Sequence, residues 1–184
     1  MQIKVLDRDF YKSASYLRCP QELNAQIYEA IHGLASLLEC IDDLELSDKC
    51  KNKIKRYKDY PQCRLWKGYE KELLEYIRCH LLAWNSKYEM GISYKNYIIL
   101  FRNIFFDSLE FHGYLKNFKV PDWITDEFIQ MHRSVLIQKE IEREKKDKYK
   151  IMPQSIEWYN KHYRHYRNLW PDCSKDLKMQ YDWR

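Results

Sequence analysis

Glu22, Gln26, Glu29 and Gly33 recur at spacings of four, three and four residues, which places them along one flank of a helix. A carboxylate and a carboxamide one turn apart can do chemistry together. The carboxylate can move a proton or stabilise a positive charge, and the amide offers both a donor and an acceptor. The helix that must carry them is marked by a second stripe. Leu23, Ile27, Ile31, Leu34 and Leu38 form an apolar face, and Pro20 stands where a first helical turn tolerates a missing N–H. The Glu22–Gln26–Glu29 flank is offset from that apolar face, so the pattern does not require it to be buried.

Other residue types suggest binding rather than catalysis. The segments 145–150 and 159–167 mix Lys, Arg and His with tyrosines. Cations of this kind neutralise phosphates and aromatic faces stack on unpaired bases, although a solvated helix face has the same composition. Six cysteines (Cys19, Cys40, Cys50, Cys63, Cys79, Cys173) include no C-x-x-C pair and no zinc-finger spacing with His, so they read as small buried thiols in a reducing compartment. A Gly-rich phosphate loop, a G-x-S-x-G elbow and an H-E-x-x-H helix are all absent from the sequence. Neither a metal nor an organic cofactor is implied.

The elements that must position these groups read as helices. With 184 residues, 45% hydrophobic and 16% aromatic, the chain is long and apolar enough for one domain with its own core. Four Gly and five Pro leave few turns for a sandwich or barrel. The net charge of +5 is a weak pointer to an acidic partner, because 27 acidic residues offset 32 basic ones. No apolar run reaches the roughly 18 residues of a membrane span, and the first residues lack the apolar core of a secretory signal. An intracellular or viral setting, with no membrane contact, is expected.

Along the chain, Asp9-Phe10-Tyr11 leads into a helical turn, and 42–59 is a charged connection with room for a short helix. Pro61 opens a long helix through Trp66, Tyr69, Leu73, Ile77, Leu81 and Trp84, with Gly91 as its stop. On that stripe Trp66 and Tyr69 suit core packing better than base stacking. Residues 94–106 fit a buried helix or a strand. Pro121-Asp122 begins a helix through Phe128 and Val135 into the charged run 139–150, and Pro153 begins another before an irregular aromatic tail. The expectation is an all-α, single compact domain over 1–184.

Several blocks carry a resemblance. They are Met1-Gln2, then Asp9-Phe10 with Ser13-Ala14, then Leu23-Asn24-Ala25-Gln26-Ile27-Tyr28-Glu29-Ala30; Tyr60-Pro61-Gln62-Cys63-Arg64-Leu65-Trp66-Lys67-Gly68-Tyr69-Glu70; Met131 to Lys139; and His165 to Asp172 with Tyr181-Asp182-Trp183. In this order they resemble an uncharacterised bacterial branch of the pyrimidine-dimer DNA glycosylase (phage endonuclease V-type) superfamily, with 92–120 and 140–160 as insertions. The resemblance implies a DNA glycosylase, with abasic-site lyase activity, acting as a monomer on duplex DNA that carries a damaged or modified base. It implies the Met1 α-amine as nucleophile at the sugar C1′ and Glu29 as the assisting carboxylate. Gln26, His132, Arg133 and Lys139 are implied as DNA contacts.

Two departures stand beside it. Gln2 follows Met1, so the free amine would be that of Met1 itself. Tyr28, Ala30 and His32 flank the glutamate where characterised members carry phosphate-gripping arginines. A non-catalytic nucleic-acid-binding or virion-associated protein on the same fold is the alternative from another class, and an enzyme of free nucleotides is a third.

Overall fold

The computed structural model describes residues 3–17, 20–88 and 94–144. Among them are eight α-helices, two short 3-10 turns and no strand, so the chain is all-α. The described residues fall into two compact units. The first holds 3–4 and 9–121, and the second holds 5–8 and 122–144.

In the first unit, α1 (Phe10–Tyr16) starts on the Asp9 carboxylate, which accepts from the N–H groups of Tyr11 and Lys12. This satisfies donors that a helix start leaves without a partner. Helix α2 (Pro20–Leu37) follows, with Leu23, Ile27, Ile31 and Leu34 fully or almost fully buried as their spacing requires. A 3-10 turn (Ile41–Asp43) precedes α3 (Asp48–Ile54), which Ser47 caps, and a second turn (Tyr57–Asp59) leads to α4 (Pro61–Leu65). Then come α5 (Glu70–Lys87), α6 (Lys95–Ile104) and α7 (Ser108–Lys116). Helices α2 and α5 form the main packed pair, with α1 against α5 and α6 against both.

The long helix expected from Pro61 is two helices. Between α4 and α5 the chain turns at Gly68, whose φ is +86°, a conformation that side chains with a Cβ avoid. The turn tucks Trp66 into the core at 1% exposure, where its ring lies 6.2 Å from Phe10 and 6.0 Å from Tyr76. The apolar stripe is therefore real, and it is assembled from two helices because the turn keeps Trp66 and Leu73 both inside. Helix α5 ends at Lys87, and the expected stop at Gly91 lies outside the described residues. Residues 95–104 are helix and not strand.

In the second unit, α8 (Asp126–Glu144) starts four residues beyond the expected Asp122. Thr125 explains the delay: its hydroxyl accepts from Phe128 N–H at 3.2 Å and its carbonyl from Ile129 N–H at 3.1 Å, a helix cap that the Pro121-Asp122 signal obscured. Trp123 packs edge-on against Phe128 at 5.2 Å. The expected Pro153 helix, the basic segments 145–150 and 159–167 and the aromatic tail lie outside the described residues. Among the described residues no helix is long and apolar enough to cross a membrane.

The two glycines at 68 and 113 should respond oppositely to one added methyl group. A Cβ at either would meet nothing within 4 Å, so only the backbone decides. Gly68→Ala is expected to cost about 1 kcal/mol through its positive φ, whereas Gly113→Ala inside α7 should gain about 0.5–1 kcal/mol. Urea midpoints of the two variants against the parent check both signs.

Candidate functional site

The flank of α2 that carries Glu22, Gln26 and Glu29 faces the chain's own N-terminal segment. An extended segment without a sheet must find other partners for its N–H groups when it is buried. Here side-chain amides supply them. Ile3 N–H donates to Gln62 Oε1 at 2.8 Å, and Lys4 N–H donates to Gln26 Oε1 at 2.6 Å. The Lys4 carbonyl accepts from the Tyr76 hydroxyl at 2.8 Å, and that hydroxyl also lies 3.3 Å from Gln26 Oε1. Lys4 is itself 1% exposed, with its ammonium 2.8 Å from Glu22 Oε2. The flank is thus buried at Glu22 and Gln26, contrary to the freedom its offset suggested, because the N-terminal segment covers it. Only Glu29 stays half-buried.

Glu29 lies close enough to two tyrosine hydroxyls and a thiol to act on them. Its negative charge helps raise the pKa values of the Tyr57 and Tyr76 hydroxyls and of the Cys63 thiol, where burial is the larger cause. The Cys63 thiol is pushed up to about 12. These groups therefore keep their protons at neutral pH. Tyr76 is wholly buried, with the His80 ring stacked on it at 3.8 Å and the Phe10 ring edge-on at 5.4 Å. Gln62 Nε2 and His80 Nε2, buried beside this network, have no hydrogen-bond partner among the described residues.

Beyond Glu29 a run of rings crosses α2 and the turn before α4. Tyr28 lies 6.0 Å from His32, His32 lies 6.2 Å from Tyr57, and Tyr57 lies 5.3 Å from Tyr60. Tyr28 and Tyr60 expose 38% and 39% of their surface. Burial, with Lys53 adding to it, lowers the His32 pKa to about 4. Its Nε2 is buried without a partner. Sequence reading passed over this run because its members come from two elements and share no local period. Only Tyr28 and His32, one helical turn apart, carried a signal.

The other sequence-predicted residues lie elsewhere. In the second unit the His132 ring is fully buried, 4.2 Å from Phe128, and its Nδ1 accepts from Val5 N–H at 2.8 Å. A ring so enclosed presents no surface to a ligand, so the expectation of a DNA contact gives way to a core role at His132. Arg133 is half-buried. Its Nε donates to the Leu6 carbonyl at 2.7 Å, and its guanidinium lies 3.4 Å from Asp7. It lines a polar cleft of about 170 Å³ with Asp7, Arg8 and Asp126, where Arg8 pairs with Asp126 at 3.2 Å. Lys139 lies on α8, with its side chain outside the described residues, and Met1 lies outside them altogether.

The chain matches no protein-family model, no curated protein and no solved structure.

Two measurements test the buried polar network. Removing one member of the Lys4–Glu22 pair takes away the opposite charge that offsets the other's burial, so Lys4→Met should destabilise by about 3–5 kcal/mol, and adding Glu22→Leu should recover most of that loss. A double-mutant cycle by urea unfolding reads the coupling. The buried histidines give a pH signature. Burial, the larger cause, lowers the His80 pKa to about 3 and the His32 pKa to about 4, both below the ordinary value, so the unfolded chain takes up protons that the folded one refuses. Stability should therefore fall as pH drops below about 6.5, by roughly 1.4 kcal/mol per pH unit for each ring. The His32 contribution ends near pH 4 and the His80 contribution near pH 3. His80→Phe, which keeps a ring on Tyr76, should remove roughly half of the slope between pH 6 and 5.

Proposed function

We propose that this chain is a DNA glycosylase with abasic-site lyase activity, using the Met1 amine as nucleophile and Glu29 as the assisting carboxylate. The observation that supports the reading is the anchoring of the N-terminal segment on the glutamate flank of α2. Lys4 is tied to that flank by its N–H and its ammonium, and Ile3 is tied to Gln62. The described part of that segment begins at Ile3, already held on the flank. A nucleophile needs such confinement, because holding reactants together removes much of the entropic barrier.

The chemistry follows from an α-amine whose ordinary pKa is about 8, which leaves a usable unprotonated fraction at neutral pH. The nitrogen lone pair forms a bond to the sugar C1′ as the glycosidic C1′–N bond breaks. The bonding pair leaves with the base, which takes up a proton. Loss of a proton from the attacking nitrogen and opening of the sugar ring at its oxygen then give the imine, from which elimination can cut the backbone. Glu29 would stabilise the positive charge that develops on the sugar and accept or return protons. Reaching the target requires the nucleotide to leave the stack, which costs least at damaged or mispaired positions. Arg133 belongs to this reading as a phosphate contact only if it exchanges its Asp7 partner for DNA.

Borohydride trapping of untagged protein on duplex DNA with one abasic site tests the reading. A covalent adduct is expected, lost on acetylation of the Met1 amine, with Glu29→Gln slowing turnover by at least tenfold while DNA affinity stays within about twofold. Salt-dependent binding without any adduct would instead favour a non-catalytic nucleic-acid-binding protein.

A further inference from the structure

The geometry points to a nucleobase-stacking site on the face formed by Tyr28, His32, Tyr57 and Tyr60, beside Glu29, which takes an unpaired base of a nucleic acid strand. This inference rests on the proposed function for the class of its ligand, but not on catalysis.

Three independent features converge on it. The first is the ring run itself, four aromatic side chains with centroids 5.3–6.2 Å apart. Its outer members Tyr28 and Tyr60 are well exposed, while Tyr57 is 8% exposed and forms a firm middle. Rings that served only the core would be covered at both ends. Exposed flat faces held in place by buried ones are what a base needs in order to stack without first paying to order the platform.

The second is the buried His32 Nε2, which has no hydrogen-bond partner among the described residues. A buried polar atom without a hydrogen bond is costly unless something else completes it. A neutral imidazole donates from one nitrogen and accepts at the other, so a base edge that displaces the cover over Nε2 can bond His32 in either sense, and burial keeps the ring neutral at pH 7.

The third is charge. Lys53 is close enough to His32 to act on its protonation. Along α3 and the turn after it Lys49, Lys53, Lys55 and Arg56 are exposed. Lys55 pairs with Asp42 across 3.4 Å, both well exposed, a contact of little strength that phosphate can replace. Aromatic faces bordered by cations are the recurring arrangement of single-strand recognition, in which cations follow the backbone and rings take the bases. Glu29 lies one residue from Tyr28, and its charge is felt at Tyr57, so a base on these rings sits next to the carboxylate assigned to the sugar.

The test is fluorescence anisotropy of a labelled single-stranded oligodeoxynucleotide across a salt series, with parent, Tyr28→Ala, Tyr60→Ala and the two Phe variants. Each Ala variant should weaken binding between about fivefold and 100-fold, with an unchanged slope against salt, because stacking releases no counterions. The Phe variants, which keep the ring, should bind within about twofold of the parent. In the parent, 2-aminopurine placed in the strand should change its emission on binding, and both Ala variants should lose that change. Because Tyr28 and Tyr60 are exposed, all four variants should melt with the parent. Ala variants that bind as the parent does, or Phe variants as weak as the Ala ones, would overturn the stacking site. A parent with no affinity for the strand overturns it too. Ring-dependent binding without borohydride trapping keeps the site and sinks the glycosylase. Trapping with no dependence on the rings does the reverse.

Discussion

Everything in the first unit is arranged around one awkward requirement, the burial of Lys4. An ammonium at 1% exposure has given up its water, and the loss is offset by a single carboxylate, Glu22, at 2.8 Å. Such a pair is at best weakly stabilising against an apolar alternative, but it is intolerant of losing one member. Its value is therefore positional. The extended segment at Lys4 cannot slide along α2 without separating the two charges. The backbone bonds to Gln26 and Tyr76 hold only at that same register. Tyr76 in turn is fixed by Phe10, Trp66 and His80, so α1, α4 and α5 all depend on where residue 4 lies.

This arrangement explains which parts could be read from the sequence. Helix α2 was legible because its apolar residues repeat with the helical period and Pro20 marks its start. The all-α class followed from composition and from such stripes. The split between α4 and α5 was not legible, since Trp66, Leu73 and Ile77 keep helical spacing across a turn that only the backbone at Gly68 reveals. The start of α8 was misplaced for a related reason: Pro121 is a strong local signal, yet the side chain that satisfies the first helical N–H groups is Thr125.

At the site, legibility stopped where contacts became long-range. Gln26 and Glu29 stood out as a pair on one helix, but nothing local said that Gln26 would be spent on Lys4 N–H, 22 positions away. Gln62 and Tyr76 are 59 and 72 positions from the residues they hold. The same limit explains His132. A histidine next to an arginine near a basic run reads as a surface pair. Here the ring turns inward to take Val5 N–H, 127 positions earlier, while Arg133 donates to the Leu6 carbonyl. Period identifies which face a residue occupies, not which distant backbone group needs it.

The contrast between Gln26 and Glu29 carries the last step. Both lie on the same flank, less than one turn apart, yet one is sealed at 1% exposure and the other is half open. Glu22, on the same flank, is enclosed and paired with Lys4. Glu29 instead borders groups that burial keeps protonated: Tyr57, Cys63 and Tyr76. In surroundings that are less polarisable than water, a carboxylate exerts a stronger field on a nearby charge. The neutral neighbours also add no second negative charge to spread that field. In the proposed reaction that field would act on the positive charge that develops on the sugar. The buried pair fixes the segment, while the half-open carboxylate keeps part of its surface exposed on the same flank.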